Sequence, residues 1–95
     1  MNDIKFIYDK LKDKYDLTLT STLALNDGYT IDAPVIRGCG ANGSFDLYHD
    51  GAMLVFSVEY FDKEGNDKYS HGHPYDLDDA INYIENFMQG KSIFN

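Results

Sequence analysis

The apolar residues of this sequence change their spacing twice along the chain, and this change constrains the fold more than any other feature. Near the beginning and near the end they recur every three to four residues, as on one side of an amphipathic helix. Between these two stretches they alternate with polar residues, as in strands that bury one face. The pattern predicts two helices that enclose a series of strands.

The two predicted helices have clear limits. The first covers Asp3 to Tyr15, where Ile4, Ile7 and Leu11 share one side. The second begins after Asp76, a residue type favoured at the N-cap, and has further acids in its first turn, where the helix dipole favours negative charge. Gly90 is expected to end it.

The middle of the chain reads as five strands joined by short turns. The predicted strands are Leu17 to Leu25, Tyr29 to Arg37, Ser44 to His49, Ala52 to Phe61 and Asp67 to His73. Turn residues separate them, among them His49-Asp50-Gly51. Pro34 predicts that the second strand lies at an edge or bulges there. We therefore expect an α+β fold of order α-β-β-β-β-β-α, with both helices packed on one face of an antiparallel sheet.

Length and charge narrow the possible functions. The 95 residues suit a single domain, 1–95, with one core. The formal net charge of −8 repels phosphate backbones, so no nucleic-acid partner is expected. Such a charge either keeps the protein soluble or steers it toward a basic partner.

Cysteine content and targeting signals predict the compartment. Cys39 is the only cysteine, which excludes an internal disulfide and a multi-cysteine zinc site. The N-terminus lacks a basic segment followed by an apolar run, and no apolar stretch is long enough to span a bilayer. We expect a cytoplasmic protein without a membrane partner.

The segment Gly38 to Gly43 matches the G-x-G-x-x-G pattern of dinucleotide-binding proteins. That motif needs a strand before it and a helix after it, because the helix N-terminus holds the pyrophosphate. Here a strand is predicted to follow. The segment is therefore interpreted as a flexible loop between strands.

Two histidines, His71 and His73, are spaced to point to the same side of the last strand, as in many metal sites. If the turns centre near Asp50 and Glu64, His73 lies beside Val55 and Asp46. Asp46, His71 and His73 then form a possible site for a divalent metal such as zinc. A solvated strand face also accounts for these residues without any metal.

The same register places a polar and aromatic set on the sheet face opposite the helices, and such residues are typical of interface centres. The predicted partner-binding residues are Asp46, Tyr48, Glu59, Tyr69, His71, His73 and, beside them, Tyr75. An error of one residue in either hairpin would exchange the two faces. No catalytic residues are predicted.

The last third of the chain contains His71-Gly72-His73-Pro74, followed by Asp79-Ala80-Ile81, Ile84-Glu85, Phe87-Met88 and Gly90. It resembles short uncharacterised bacterial proteins that carry an H-x-H-P element before a final helix. The resemblance implies a bacterial or phage-like origin and brings no activity.

Acidity, small size and the lack of a catalytic constellation favour a non-enzymatic interaction module, in the manner of small immunity, antitoxin or inhibitor proteins. Its partner would be another protein, such as a basic one, or a second copy in a homodimer. The alternative is a small metal-binding protein or metal-dependent hydrolase that uses His71, His73 and Asp46.

Overall fold

The helices and strands follow the predicted order. The structure, a computed structural model, describes residues 3–24, 28–40, 43–50, 55–64, 69–72 and 74–90. Its elements are α1 (Asp3–Leu11), β1 (Leu17–Ala24), β2 (Thr30–Gly40), β3 (Gly43–Asp50), β4 (Val55–Phe61), β5 (Tyr69–Gly72) and α2 (Leu77–Met88). The strands form one antiparallel sheet in the order β1-β2-β3-β4-β5. The predicted α+β fold with one antiparallel sheet is confirmed.

Helix α1 is shorter than predicted. It ends at Leu11, and the backbone N–H of Lys14 then donates to the Leu11 carbonyl at 3.0 Å. This tighter hydrogen bond closes the last turn and diverts the chain toward β1. Tyr15, expected at the end of the helix, lies beyond it but still packs against the core.

Helix α2 begins and ends as predicted. Asp76 is its N-cap, and the Asp76 Oδ1 atom accepts a hydrogen bond from the backbone N–H of Asp79 at 2.9 Å. Gly90 follows the helix with φ of 75°, the left-handed conformation that glycine adopts without strain. Of the helices in the described ranges, none combines the length and apolar character needed to cross a membrane.

Both helices pack on one face of the sheet, as predicted. The core joins buried residues of the helices to residues that alternate along the strands: Ile4, Ile7, Leu11, Leu17, Ile36, Phe45, Leu47, Phe56, Val58, Tyr60, Ala80, Ile84 and Phe87. The rings of Phe45 and Phe87 meet edge to face, with centroids 4.8 Å apart. This aromatic contact fixes α2 against the middle of the sheet.

The glycine-rich segment is a hairpin, and the prediction of a loop from Gly38 to Gly43 is wrong. β2 continues to Gly40, which pairs with Gly43 at the start of β3. Position 38 of this strand is a glycine because a Cβ there would overlap the ring of Phe45. The glycine thus makes room for a core aromatic residue.

The pairing of β3 with β4 differs in register from the prediction. β3 continues through Asp50, which pairs with Val55, so the pairing is not centred on Asp50. Asp46 consequently pairs with Glu59, four residues from its expected neighbour Val55. Because four is an even number, the β3 and β4 residues keep their predicted faces.

β2 bulges at Pro34, as its sequence predicts. Thr20 pairs with Val35 and Thr22 with Asp32, so Ser21 alone faces two residues of β2. Pro34 has no N–H to give to a neighbouring strand, and an irregularity in the ladder accommodates it. β2 is otherwise an internal strand, between β1 and β3.

Candidate functional site

The face of the sheet opposite α1 and α2, here called the second face, is built by the other half of the strand residues. Three cross-strand rows define it: Val35–Tyr48–Ser57, Arg37–Asp46–Glu59–Ser70 and Cys39–Ser44–Phe61. Residues in one row share a face because they are direct neighbours in the antiparallel ladder. The middle row carries three ionisable side chains in succession, on β2, β3 and β4.

An ion pair occupies the centre of the second face. Arg37 Nε donates to Asp46 Oδ1 at 2.7 Å, and Arg37 Nη2 donates to Asp46 Oδ2 at 3.0 Å. The planar guanidinium therefore meets both carboxylate oxygens, which is the strongest geometry for this pair of groups. Asp46 was predicted as a site residue, whereas Arg37 was not.

The two partners differ in burial. The Asp46 side chain is only 2% exposed, whereas the Arg37 side chain is 46% exposed. The hydrogen bond from Arg37 to Asp46 raises the pKa of the guanidinium above its ordinary value. A carboxylate so deeply buried needs a compensating charge. Arg37 supplies that charge while presenting part of its own surface outward.

Side chains of intermediate burial flank the pair. Tyr48 lies in the row on one side and Phe61 in the row on the other, and both are partly exposed. Val35 and Ser57 are buried, although they belong to the face that the helices do not cover. The second face therefore has a dry centre with an arginine and two aromatic residues around it. None of the residues in its three rows is lysine.

Cys39 lies at the border of this surface. It is exposed, and it is close enough to contribute to the raised pKa of Arg37. It is also the only cysteine of the chain. A thiol-specific reagent would therefore mark the second face alone.

Three of the predicted site residues, Asp46, Tyr48 and Glu59, lie together on the second face. Tyr69 does not join their row. The ladder between β4 and β5 is irregular after Val58, so that Glu59 pairs with Ser70 and Tyr69 with Tyr60. Tyr60 is a core residue on the helix-covered side, so the ladder sets Tyr69 beside a residue of the other face.

The remaining predicted residues lie elsewhere. The backbone of His71 belongs to β5, while His73 lies outside the described residues. Tyr75 is 79% exposed and lines a different groove, of about 550 Å³, with His49, Phe56 and the first turn of α2. The His49 ring contacts Phe56 edge to face, with centroids 5.3 Å apart.

The geometry around Asp46 bears on the predicted metal site. Both Asp46 oxygens accept hydrogen bonds from Arg37, so a metal ion would have to displace the guanidinium. Within the described ranges, no three His, Cys, Asp or Glu side chains are arranged to hold a metal ion. The row of Asp46 contains Glu59 and Ser70, where the sequence predicted Val55 and His73.

Arg37 is the residue of this candidate site that the sequence interpretation missed. It is the only arginine among 95 residues. Had residues 38–43 been read as part of a hairpin whose turn is centred on Ala41-Asn42, Arg37 would have been placed opposite Asp46. Asn42-Gly43 is a pair typical of tight hairpin turns, but a turn centred on it would set Arg37 opposite Tyr48, so the sequence signals a hairpin here and not this pairing.

Comparison with known proteins adds no assignment to this geometry. The chain matches no protein-family model, no curated protein and no solved structure.

Proposed function

We propose that this chain is a non-enzymatic protein-binding module, in the manner of small acidic immunity, antitoxin or inhibitor proteins, and that it binds its partner with the second face. The observation that carries the proposal is the Arg37–Asp46 pair between Tyr48 and Phe61. Arginine and aromatic residues are enriched at interface centres, and lysine is depleted there.

The ion pair prepares Arg37 for binding. A free arginine side chain loses considerable rotamer entropy when a partner immobilises it. Asp46 already holds the guanidinium through two hydrogen bonds, so much of this entropy is lost on folding. Two of the five guanidinium N–H groups serve Asp46. The 46% of the side chain that is exposed remains accessible to a partner.

Charge supports the choice of partner. With a net charge of −8, the protein attracts a basic surface over distances longer than a direct contact. Such steering raises the association rate and weakens with salt. The proposed partner is therefore a basic protein, and its association rate should fall as ionic strength rises.

The test uses Cys39 as a natural attachment point. A photo-crosslinker attached to its thiol reports what lies against the second face. The matched control is Cys39→Ser/Asn86→Cys, which moves the same probe to the exposed surface of α2. The proposal predicts a discrete adduct from Cys39 that is lost in Tyr48→Ser and does not form from the control.

Two results would refute the proposal. Equal adducts from Cys39 and from the α2 position would show that capture does not depend on the second face. Unchanged capture in Tyr48→Ser and in Phe61→Ser, with both variants folded by circular dichroism, would show that its aromatic residues play no part.

A further inference from the structure

β1 lies at the outer edge of the sheet. It comes first in the sheet order, and of the described strands only β2 pairs with it. Its eight residues, LTLTSTLA, include no charged residue and no proline. Natural proteins usually block such an edge with charge, proline or a covering segment, because its outward N–H and C=O groups can pair with another strand.

The β1 sequence reads nearly the same in both directions about Thr20. Thr18 and Thr22 are equally distant from it, Leu19 corresponds to Ser21, and Leu17 corresponds to Leu23. In an antiparallel pair, residues equally distant from the centre lie opposite each other. Two copies of β1 paired about Thr20 would therefore set threonine against threonine on one face, and on the other face Leu17 against Leu23 and Leu19 against Ser21.

We propose that β1 pairs with β1 of a second copy of this chain, antiparallel and about a two-fold axis through Thr20, so that two five-stranded sheets become one continuous sheet. The contact is isologous, because each strand offers the other the same surface. Opposed threonines stabilise such a pair through hydroxyl and methyl contacts.

Charge favours a second copy at this particular edge. Two chains of net charge −8 repel each other over most of their surfaces. β1 contributes no charge to that repulsion. The strand is thus a place where two copies can approach without setting like charges directly opposite each other.

A groove beside the centre of β1 provides room for the partner. It has a volume of about 550 Å³ and is lined by Leu19, Thr20, Ser21 and Thr22 together with Lys5 and Pro34. Leu19 is only partly buried in the core. Side chains of the second copy can cover this leucine when the strands pair. Thr18 and Thr20 pair with Arg37 and Val35 and therefore adjoin the second face, but the proposed contact uses the outer backbone edge of β1, so the inference does not depend on the proposed function.

The test measures molar mass by light scattering over a dilution series. The unmodified protein should have twice the chain mass of 10.8 kDa and dissociate on dilution. Thr20→Lys sets two ammonium groups against each other on the two-fold axis and should give the monomer mass. Asn86→Lys adds the same charge on exposed α2 and should leave the dimer intact.

A charge exchange tests the register. Thr18→Lys/Thr22→Glu places an ammonium group opposite a carboxylate twice in the proposed dimer, so it should remain dimeric where Thr20→Lys does not. Oxidation of Cys39→Ser/Thr20→Cys should give a disulfide-linked dimer, because the two Cα atoms at the axis lie within disulfide range. This second readout remains available if Thr20→Lys fails to fold.

A monomer mass for the unmodified protein at the highest concentration would overturn the proposal. So would a dimer that persists in folded Thr20→Lys, or a disulfide that forms no faster from position 20 than from Cys39→Ser/Asn86→Cys. Loss of partner capture from Cys39 with an intact dimer would count only against the proposed function.

Discussion

Arg37 and Asp46 lie opposite each other on β2 and β3, and the guanidinium of one holds both carboxylate oxygens of the other, at 2.7 and 3.0 Å. Because the Asp46 side chain is 2% exposed and the Arg37 side chain is 46% exposed, the partners depend on each other unequally. Loss of Arg37 leaves a negative charge in a dry environment. Loss of Asp46 leaves an arginine that water can still reach.

This asymmetry predicts different costs for the two single variants. Arg37→Met should lower the free energy of unfolding by about 3 kcal/mol, the scale for breaking a buried ion pair by removing one partner. Asp46→Leu should cost less. The double variant Arg37→Met/Asp46→Leu should recover most of the loss, because neither charge remains. Urea denaturation of the four proteins measures these values, and an Arg37→Met cost below that of Asp46→Leu would contradict the account.

The contact between Gly38 and the Phe45 ring gives a second prediction. A Cβ at Gly38 would overlap that ring and lie 3.1 Å from Leu17 Cδ2, so Gly38→Ala should destabilise the protein by about 2 kcal/mol through overpacking. Gly40→Ala is the matched control in the same strand, because its Cβ would meet Phe87 Cε1 at an ordinary 3.4 Å. The control should change the urea midpoint little. Similar losses at both glycines would instead indicate a general effect of alanine in β2.

The N-cap of α2 gives a third prediction. Asp76→Ala removes the acceptor for the Asp79 N–H, and we expect a loss of about 1 kcal/mol. Asp78→Ala is the control, because Asp78 has the same charge in the same turn but is not the N-cap residue. The comparison can be made by thermal denaturation followed at a helix wavelength. Equal losses would mean that charge near the helix dipole matters and the cap does not.

The ion pair between the two ends of the chain gives a fourth prediction. Lys14 Nζ lies 3.0 Å from Glu85 Oε2, and this hydrogen bond raises the pKa of Lys14 above its ordinary 10.5. A raised pKa means that the contribution to stability is complete below 10.5 and is lost as pH rises through the folded-state pKa. Because Lys14 is exposed, that contribution is small. NMR titration of the lysine side chain should show a lower pKa in Glu85→Gln, whereas an unchanged pKa would exclude the pair in solution.

The fold was predictable from the sequence because periodicity and turn residues act locally. Leu17, Ile36 and Phe45 follow the alternation that buries one face, and Asp76 caps its helix from its own side chain. The exact turn between β3 and β4 was not predictable in this way. Asp50 favours a turn, yet the contact of His49 with Phe56 extends the ladder through Asp50, and that contact requires the folded sheet.

The candidate site was predictable only in part, because the partner of each side chain depends on the strand register, which requires the folded sheet. Asp46, Tyr48 and Glu59 share a face in any register displaced by an even number of residues. Tyr69 depends on the irregularity after Val58, which no turn residue announces. The Arg37–Asp46 pair depends on the hairpin of β2 and β3, where the sequence predicts a loop from Gly38 to Gly43. Sequence periodicity assigns faces well, whereas individual partners follow from register.

The meander also determines how the chain can fold. Every strand pairs with the strand next to it in sequence, so the sheet forms by closing short loops, each of which costs little entropy. The two helices are different, because Lys14 and Glu85 meet across 71 residues. The entropy of the longest loop is therefore lost in a single step, the docking of the two terminal helices. Hairpins that form early would lower the cost of that step by bringing the chain ends together beforehand.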